Sequence, residues 1–315
     1  MIAGQIGAVA YSGYRSGQHP DRGAGEKAPS RDQIAEDLEL LGDIGARLIR
    51  LYDADALSET VLEVIRDRQL PVKVLLGAWL SAEESAHETC AWLAEAVPAS
   101  ELARNRAANE EQVARLIHLA RGHADTVVAV SIGNEALVRW NDHLVPIERM
   151  VGYLRLVRDA VEQPVTTADN YMAWVEYAEA LAPVVDLALI HSYPIWEGRG
   201  IDEALAHTAA NVARVSAVMP STPLAFGEVG WPTTAREFPG QAGDAGQVRY
   251  VRELLSWAAE RSMTTFLFEA FDEDWKGDAH PDGAEKHWGL FTIDRRSKPA
   301  AAMIEDLGRG RCRDG

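Results

Sequence analysis

Residues 110–135 read EEQVARLIHLARGHADTVVAVSIGNE, and they contain one complete unit of the predicted fold. Glu110–Gly122 has apolar residues at the spacing of an amphipathic helix. Thr126–Ile132 is a short, almost entirely apolar run, which is typical of a strand covered on both faces. A helix that alternates with such strands predicts a parallel β-sheet with crossover helices.

The same two patterns alternate along the chain. The predicted strands are Gln5–Tyr11, Ala46–Tyr52, Pro71–Gly77, Thr126–Ile132, Pro164–Ala168, Val185–Ile190, Thr222–Gly227 and Thr265–Ala270. The predicted helices are Arg31–Gly45, Ser58–Gln69, Ala82–Ala96, Glu110–Gly122, Pro146–Glu162, Met172–Leu181, Asp202–Val218, Gly246–Arg261 and Pro299–Leu307. This alternation predicts an α/β fold, a closed (β/α)₈ TIM barrel. We expect one domain over residues 1–308 and a tail over residues 309–315.

The main alternative is an open, doubly wound α/β sheet. Such sheets usually carry a glycine-rich GxGxxG fingerprint directly after the first strand. Here the first strand is followed by YSGYRSG at residues 11–17, which contains neither that fingerprint nor a P-loop. The sequence therefore favours the closed barrel.

Composition limits the partners that the chain can have. The 315 residues include 31 Lys and Arg against 48 Asp and Glu, which gives a formal net charge of −17. A field of that sign repels nucleic acid but not a neutral sugar polymer, so we expect no nucleic-acid partner. No apolar run approaches the roughly 18 residues of a membrane span, so no membrane segment is expected. We expect a monomer.

The N-terminus and the cysteines say little about the compartment. The first residues, MIAGQIGAVAYSGY, lack a basic segment and lead directly into the first strand, so no signal peptide is visible. The protein is then either cytoplasmic, or periplasmic or secreted with a leader removed. Cys90 lies in a helical pattern and Cys312 in a polar tail, and neither belongs to a zinc-type cluster. The sequence does not decide whether a single disulfide joins these two cysteines.

Two glutamates follow strands that face each other across a (β/α)₈ barrel. Glu135 follows the fourth strand in VSIGNE, and Glu228 follows the seventh in LAFGEVGWP. Functional groups of this fold gather at the carboxyl ends of the strands. Two carboxyl groups about 5–5.5 Å apart can carry out retaining glycoside hydrolysis, one as acid/base and one as nucleophile. The sequence therefore predicts a glycoside hydrolase.

The remaining strand ends are rich in polar and aromatic side chains. Aromatic faces beside hydrogen-bonding groups suit pyranose rings, which are apolar on their faces and polar at their edges. The candidate residues at these ends are Tyr11, Arg50, Tyr52, Asp53, Asp169, Asn170, Tyr171, His191, Tyr193, Glu269, Phe271, Glu273 and Lys276. Five tryptophans lie in or near the predicted loops at this end of the barrel: Trp79, Trp140, Trp196, Trp231 and Trp275. We expect them to line a sugar-binding cleft.

These motifs resemble family 17 of the glycoside hydrolases, the 1,3-β-glucanases. Gly133-Asn134-Glu135 is similar to the family's acid/base motif, and Glu228-Val229-Gly230-Trp231-Pro232 is similar to its nucleophile motif. The resemblance extends from Ile6 to about Pro299. The other matching segments are Arg50-Leu51-Tyr52, Tyr193-Pro194, Phe271-Asp272-Glu273 with Lys276, and Glu285 ahead of Trp288-Gly289-Leu290-Phe291.

The resemblance implies roles for these residues. Glu228 would be the nucleophile and Glu135 the acid/base, Asn134 would hydrogen-bond the sugar 2-hydroxyl, and Tyr193 would orient Glu228. The supporting or substrate-binding residues would be Tyr11, Arg50, Tyr52, Asp53, Trp196, Trp231, Glu273, Lys276 and Glu285. The sequence FDEDW at residues 271–275 looks more like bacterial and fungal relatives than plant ones. Several of those relatives transfer glucan, so β-1,3-glucan hydrolysis and transglycosylation both stay open.

Two further classes of function are considered. A carbohydrate-binding barrel without activity would keep the aromatic cleft but lose a carboxylate, whereas both glutamates are present here. A metal-dependent hydrolase is disfavoured because the nine histidines form no HxH after the first strand and no HExxH. The acidic residues 272–278 are interpreted as a solvated loop rather than a calcium site. We expect no cofactor and no metal.

Overall fold

Eight parallel strands form a closed barrel in a computed structural model that describes residues 4, 7–21 and 25–311, with side chains as far as residue 306. Each strand pairs with the next in the chain, and the eighth pairs with the first. The strands are β1 (Ala8–Ala10), β2 (Leu48–Leu51), β3 (Lys73–Ala78), β4 (Val127–Asn134), β5 (Val165–Asn170), β6 (Ala188–Ser192), β7 (Leu224–Val229) and β8 (Thr265–Leu267). The predicted (β/α)₈ barrel is confirmed.

The helices surround this barrel. They are α1 (Arg31–Asp43), α2 (Ala56–Asp67), α3 (Ala99–Gly122), α4 (Ile147–Arg158), α5 (Tyr171–Glu176), α6 (Ala178–Leu181), α7 (Ile201–Val218), α8 (Asp244–Ala259) and α9 (Pro299–Arg311). Local sequence defines some of their ends. Ser30 and Gln33 form a reciprocal capping box at α1, and the Asp55 side chain caps α2. No helix in the described part of the chain has the length and apolarity needed to cross a membrane.

The barrel interior is apolar at one level and polar at the next. One cluster of buried side chains takes a residue from every strand: Ala8, Leu48, Leu75, Ala129, Ala168, Leu189, Ala225 and Phe266. Side chains two residues further along a strand point to the same face. At that level the strands carry Arg50, Ser131 and His191, all buried. The functional groups therefore stand on a packed apolar floor.

The helix predicted over Ala82–Ala96 is wrong, and Cys90 therefore lies in a loop rather than a helix. The segment forms turns, and helix α3 begins at Ala99 instead of Glu110. The buried carboxylate of Glu83 accepts hydrogen bonds from Asn109 and Tyr153 and pairs with Arg149 at 2.7 Å. These long-range polar contacts hold the loop, because an unpaired buried carboxylate would be costly.

Smaller differences concern the ends of elements. The predicted helix Met172–Leu181 is divided into α5 and α6, and β7 continues to Val229, so that Glu228 lies inside a strand. Helix α9 continues to Arg311, so part of the predicted tail is helical. Gln5 and Ile6 of the first predicted strand, and Cys312 with the remaining tail, lie outside the described residues.

Gly77 is predicted to be essential for barrel packing. A Cβ atom there would lie 2.5 Å from the carbonyl oxygens of Leu51 and Tyr52, which belong to the backbone and cannot rotate away. We expect Gly77→Ala to lower the free energy of unfolding by about 1–3 kcal/mol, measured by urea denaturation. The control is Gly152→Ala at an exposed position of α4, where a Cβ atom would meet nothing within 4 Å. The free energy of unfolding of that variant should rise by up to about 1 kcal/mol, because alanine favours a helix more than glycine does. Equal effects of the two changes would contradict the packing argument.

Candidate active site

The carboxyl groups of Glu135 and Glu228 face each other at the carboxyl end of the barrel. Glu228 lies in β7, and Glu135 directly follows β4. One oxygen of each lies within 4.8 Å of the other and of a ring nitrogen of His191. Glu228 is buried and Glu135 is partly exposed. The pair therefore lines the same opening.

Three donors hold the Glu228 carboxylate. Arg50 donates to its Oε1 at 3.0 Å, and the Tyr52 hydroxyl donates to the same oxygen at 2.9 Å. The Tyr193 hydroxyl donates to Oε2 at 2.6 Å. A charged donor and two hydroxyls stabilise an ionised carboxylate and fix its orientation.

Arg50 connects four strands. Besides Glu228 it donates to the carbonyl oxygen of Gly227 at 3.0 Å and to Asn134 Oδ1 at 2.6 Å. Its Nη1 also lies 3.1 Å from Nε2 of His191. The guanidinium is buried, so these partners replace the water that it has lost. Arg50 and Tyr52, which the sequence predicted to support the site, are therefore brought together with Glu228 and Asn134.

Backbone geometry orients Glu135. Gly133 and Glu135 both have left-handed φ angles, 77° and 47°. That conformation is uncommon for a residue with a side chain and costs roughly 1–2 kcal/mol. It re-aims the chain after β4, where the pairing with β5 is irregular between Ser131 and Asn134. This strained backbone directs the carboxyl group of Glu135 into the opening of the barrel.

Glu135 is held by two residues of other segments. Asn141 Nδ2 lies 3.2 Å from its Oε2, and His191 Nδ1 lies 3.0 Å from its Oε1. Burial raises the pKa of the Glu135 carboxyl, but the hydrogen bond and the electrostatic attraction of His191, with a hydrogen bond from Asn141, outweigh burial, so the pKa lies below its ordinary value. The ionised form is therefore favoured in the free protein.

A second group of carboxyls surrounds Lys276, after β8. Its ammonium lies 2.5 Å from Glu269 Oε2 and 2.7 Å from Glu273 Oε2. Burial raises the pKa of Glu269 well above its ordinary value, and the adjacent Glu273 adds to the shift. Burial also raises the pKa of Glu285 to about 7; Lys276 opposes that shift, whereas Glu228 and Glu135 add to it. Glu285 is thus electrostatically linked to the glutamate pair, and Lys276 links it to Glu269 and Glu273.

Asp53 lies beside the opening on the side of β2. Burial raises the pKa of its carboxyl to about 7, and repulsion from Asp55 adds to that shift. A backbone hydrogen bond from Trp79 acts in the opposite direction. Asp53 thus alternates between neutral and charged forms near neutral pH.

The predicted aromatic residues are divided between the surface and the core. Trp140 and Trp196 are exposed, and Trp196 packs edge-on against Phe238. Tyr11 and Trp231 are fully buried: Tyr11 donates to Asp37, and the Trp231 indole donates to the Gln241 carbonyl. The expectation that Trp231 lines the cleft is wrong because its ring is enclosed. Tyr11 and Trp231 can only support the walls.

Two residues of the site, Asn141 and His143, were not among the predicted ones, and a third, His191, was predicted without a role. His191 was included only as one of the polar residues at the end of the sixth strand. Asn141 and His143 lie several residues beyond β4, and His143 Nε2 is 2.8 Å from the Asn134 carbonyl oxygen. No local pattern marks these two, because only the folding of their loop returns them to the strand end.

Glu135, His191 and Glu228 together carry enough ligand atoms to hold a metal ion. Their lone pairs, however, are directed at internal donors. Nε2 of His191 faces the Arg50 guanidinium, and both oxygens of Glu228 accept hydrogen bonds. A cation here would also be repelled by Arg50. The arrangement favours a hydrogen-bonded carboxylate pair over a metal site.

Comparison with known proteins identifies the family. Residues 8–289 match the BtgE/BtgC glycoside hydrolase domain. A glucan 1,3-beta-glucosidase of Arthroderma benhamiae is 28% identical over 272 residues, which cover 79% of this chain and 78% of that protein. A putative glucan endo-1,3-beta-glucosidase btgC of Aspergillus niger is 28% identical over 312 residues, or 89% of this chain. The chain spans only 41% of that longer relative.

Solved structures with the same fold agree with this match. An endo-laminarinase from Formosa superposes with a TM-score of 0.80 at 22% identity, over 98% of this chain and 88% of that one. A family 17 beta-1,3-glucanosyltransferase from Rhizomucor miehei superposes with a TM-score of 0.73 at 20% identity, over 93% and 95%. The resemblance to glycoside hydrolase family 17 is confirmed. Membership of its bacterial branch stays a prediction.

The raised pKa of Asp53 predicts how stability depends on pH. An unfolded aspartate has a pKa of about 3.9, so the folded protein binds the extra proton between that value and about 7. Stability is therefore lost as pH rises through about 7. We expect Asp53→Asn to raise the melting temperature relative to wild type by about 2–4 °C at about pH 8, with little difference at about pH 4. Exposed Asp294→Asn is the control, and a pH-independent effect of Asp53→Asn would contradict the assignment.

Proposed function

The chain belongs to the BtgE/BtgC glycoside hydrolase family, and we propose that it cleaves β-1,3-glucosidic bonds with retention of configuration. Glu228 is the nucleophile and Glu135 the acid/base. The observation that carries the proposal is the approach of their oxygens to within 4.8 Å. Inverting enzymes hold their carboxyl groups about 6.5–9.5 Å apart to admit a water molecule, whereas retaining enzymes hold them about 5–5.5 Å apart.

In the first step, an oxygen of Glu228 attacks the anomeric carbon. The bond from that carbon to the leaving sugar oxygen breaks, and the proton of Glu135 passes to the leaving oxygen. Arg50, Tyr52 and Tyr193 donate hydrogen bonds to the attacking carboxylate and orient it. The product is a glycosyl ester of Glu228.

In the second step, Glu135 acts as a base. It takes a proton from water, the water oxygen attacks the anomeric carbon, and Glu228 leaves as a carboxylate. The hydrogen bonds that lower the pKa of Glu135 favour this basic form. The acid form required in the first step is a smaller fraction of the free enzyme as pH rises.

The substrate is proposed to be a β-1,3-glucan. Relatives of this chain are named for that linkage. Exposed Trp140 and Trp196 offer flat faces for neutral pyranose rings, and the partly exposed carboxyl of Glu285 offers an acceptor for sugar hydroxyls. Action as a monomer stays a prediction.

A second candidate function is glucan transfer by the same two glutamates. A pocket of about 320 Å³ lies beside the segment that follows Glu135, and Leu137, Trp140 and Met172 line it. Because the pocket adjoins the segment that directly follows the acid/base, we infer that an acceptor sugar bound at Glu135 extends into it. An apolar surface there favours a sugar over water as the second-step acceptor.

Azide separates the two glutamate roles. We expect Glu228→Ala to lose about a thousandfold or more of kcat, and azide to restore turnover of an activated aryl β-glucoside as the α-glucosyl azide. Glu135→Ala should give the β-azide with the same substrate. The products are identified by proton NMR, and exposed Glu88→Ala should behave as wild type. Full activity of Glu228→Ala would refute the assignment.

Time-resolved product analysis on laminari-oligosaccharides distinguishes hydrolysis from transfer. Products longer than the substrate would establish transfer. If they form, Trp140→Ala should lower the ratio of transfer to hydrolysis by about threefold to tenfold, since one aromatic contact contributes about that much. Leu156→Ala on the exposed face of α4 is the control. An unchanged ratio in Trp140→Ala would rule out the pocket as the acceptor site.

A further inference from the structure

His191 lies between the two proposed catalytic carboxyls. Its ring is fully buried at the end of β6. Nδ1 lies 3.0 Å from Glu135 Oε1 and 3.4 Å from Glu228 Oε2. Nε2, on the opposite side of the ring, lies 3.1 Å from Nη1 of Arg50. The imidazole therefore contacts both carboxyl groups and the cation that holds one of them.

The Arg50 contact fixes the protonation of the ring. A guanidinium has only donors, so Nε2 of His191 cannot donate to it, and Nε2 shares the two hydrogens of Nη1 with the Gly227 carbonyl oxygen and Glu228 Oε1. The single proton of a neutral imidazole then lies on Nδ1, where it points at the two carboxyls. A doubly protonated ring would place an N–H against the N–H groups of Arg50. The geometry thus selects the neutral Nδ1–H tautomer.

The backbone is built to place this ring. The pairing of β6 with β7 shifts after Ile190, which pairs with Phe226, so that His191 lies opposite Glu228. The shift leaves Gly227 as the extra residue. A Cβ on Gly227 would lie 3.0 Å from Nε2 of His191. A bulge and a glycine therefore make room for the imidazole beside Glu228.

We propose that His191 is a positioning residue whose Nδ1–H is shared by the two carboxyls in the free enzyme and bonds to Glu135 alone once Glu228 is an ester. This inference rests on the proposed roles of the two glutamates. When Glu228 attacks, its carboxylate becomes a neutral ester and a weaker acceptor. Glu135 has then given up its proton, so the His191 hydrogen bond stabilises it as the base of the second step.

Other groups also set the electrostatic field at this position. They come from the elements that pack against the pair: Arg50 on β2 and Tyr52 directly after it, Asp169 on β5, Tyr193 directly after β6, Glu228 on β7, and His143 and Glu285 on loops. All of them are retained when only His191 is changed. A substitution at His191 therefore isolates the contribution of its Nδ1–H.

Two amide variants distinguish the effect of losing the Nδ1–H donor of His191 from the effect of losing the volume of its ring. The amide nitrogen of His191→Asn can occupy the position of Nδ1, whereas that of His191→Gln reaches the position of Nε2. We expect His191→Gln to move the basic limb of the kcat/KM profile upward by about one pH unit, because Glu135 loses a hydrogen bond to its charged form. The basic limb of the His191→Asn profile should lie between those of His191→Gln and wild type.

The kinetic signature of His191→Gln is specific to the second step. With a dinitrophenyl glucoside, kcat should fall about tenfold or more while KM falls with it, because the glycosyl-enzyme accumulates. A merely structural role would leave the pH profile unmoved and would not lower KM. That result would overturn the inference. Thermal unfolding of both variants identifies any loss of fold.

A measurement on the unaltered enzyme needs no variant to fold. Nitrogen-15 NMR of the His191 ring at about pH 7 should show a protonated Nδ1 and an unprotonated Nε2. A proton on Nε2, alone or with one on Nδ1, would contradict the proposal. If the azide experiment assigns both glutamates but either His191 test fails, the proposed function stands and this inference is wrong. If the glutamate variants stay active, the proposed function itself fails.

Discussion

The buried guanidinium of Arg50 is the interaction on which the site depends. A cation taken out of water inside a barrel is costly unless charged and polar partners replace the lost hydration. Here those partners are Glu228, Asn134, His191 and the carbonyl oxygen of Gly227. These partners lie on β4, β6 and β7, so one side chain on β2 sets the relative positions of four strands. The same contact holds the Glu228 carboxylate in the position where a nucleophile is needed.

The barrel supplies the precision that such a network requires. Its apolar floor, with one side chain from each strand, fixes the strands so that the next level can be polar. Two local departures from regular pairing then aim the reactive groups. One is the shift between β6 and β7 at Gly227, and the other is the left-handed turn at Gly133 and Glu135. Backbone strain of this kind is tolerated where the surrounding structure holds it, which is common at functional sites.

Sequence patterns predicted most of this arrangement. Apolar runs followed by polar residues located Glu135, Glu228, Arg50 and Tyr193, because the carboxyl ends of all eight strands meet at one opening. Patterns failed where distant contacts decide the outcome. The segment Ala82–Ala96 has helical spacing, yet the pairing of Glu83 with Arg149 holds it as turns. Asn141 reaches Glu135 only through the path of its loop. The enclosure of Trp231 likewise depends on packing against α8, which its motif does not reveal.

The central claim is that two carboxyls stand close enough to act on opposite sides of one anomeric carbon in succession. The stereochemistry of the first-formed product tests that claim most directly. Proton NMR during the first minutes of laminari-oligosaccharide cleavage distinguishes the two anomers before they interconvert. The account predicts that the β-anomer appears first and the α-anomer later, by mutarotation. Initial release of the α-anomer would show a single displacement by water, and it would contradict the account.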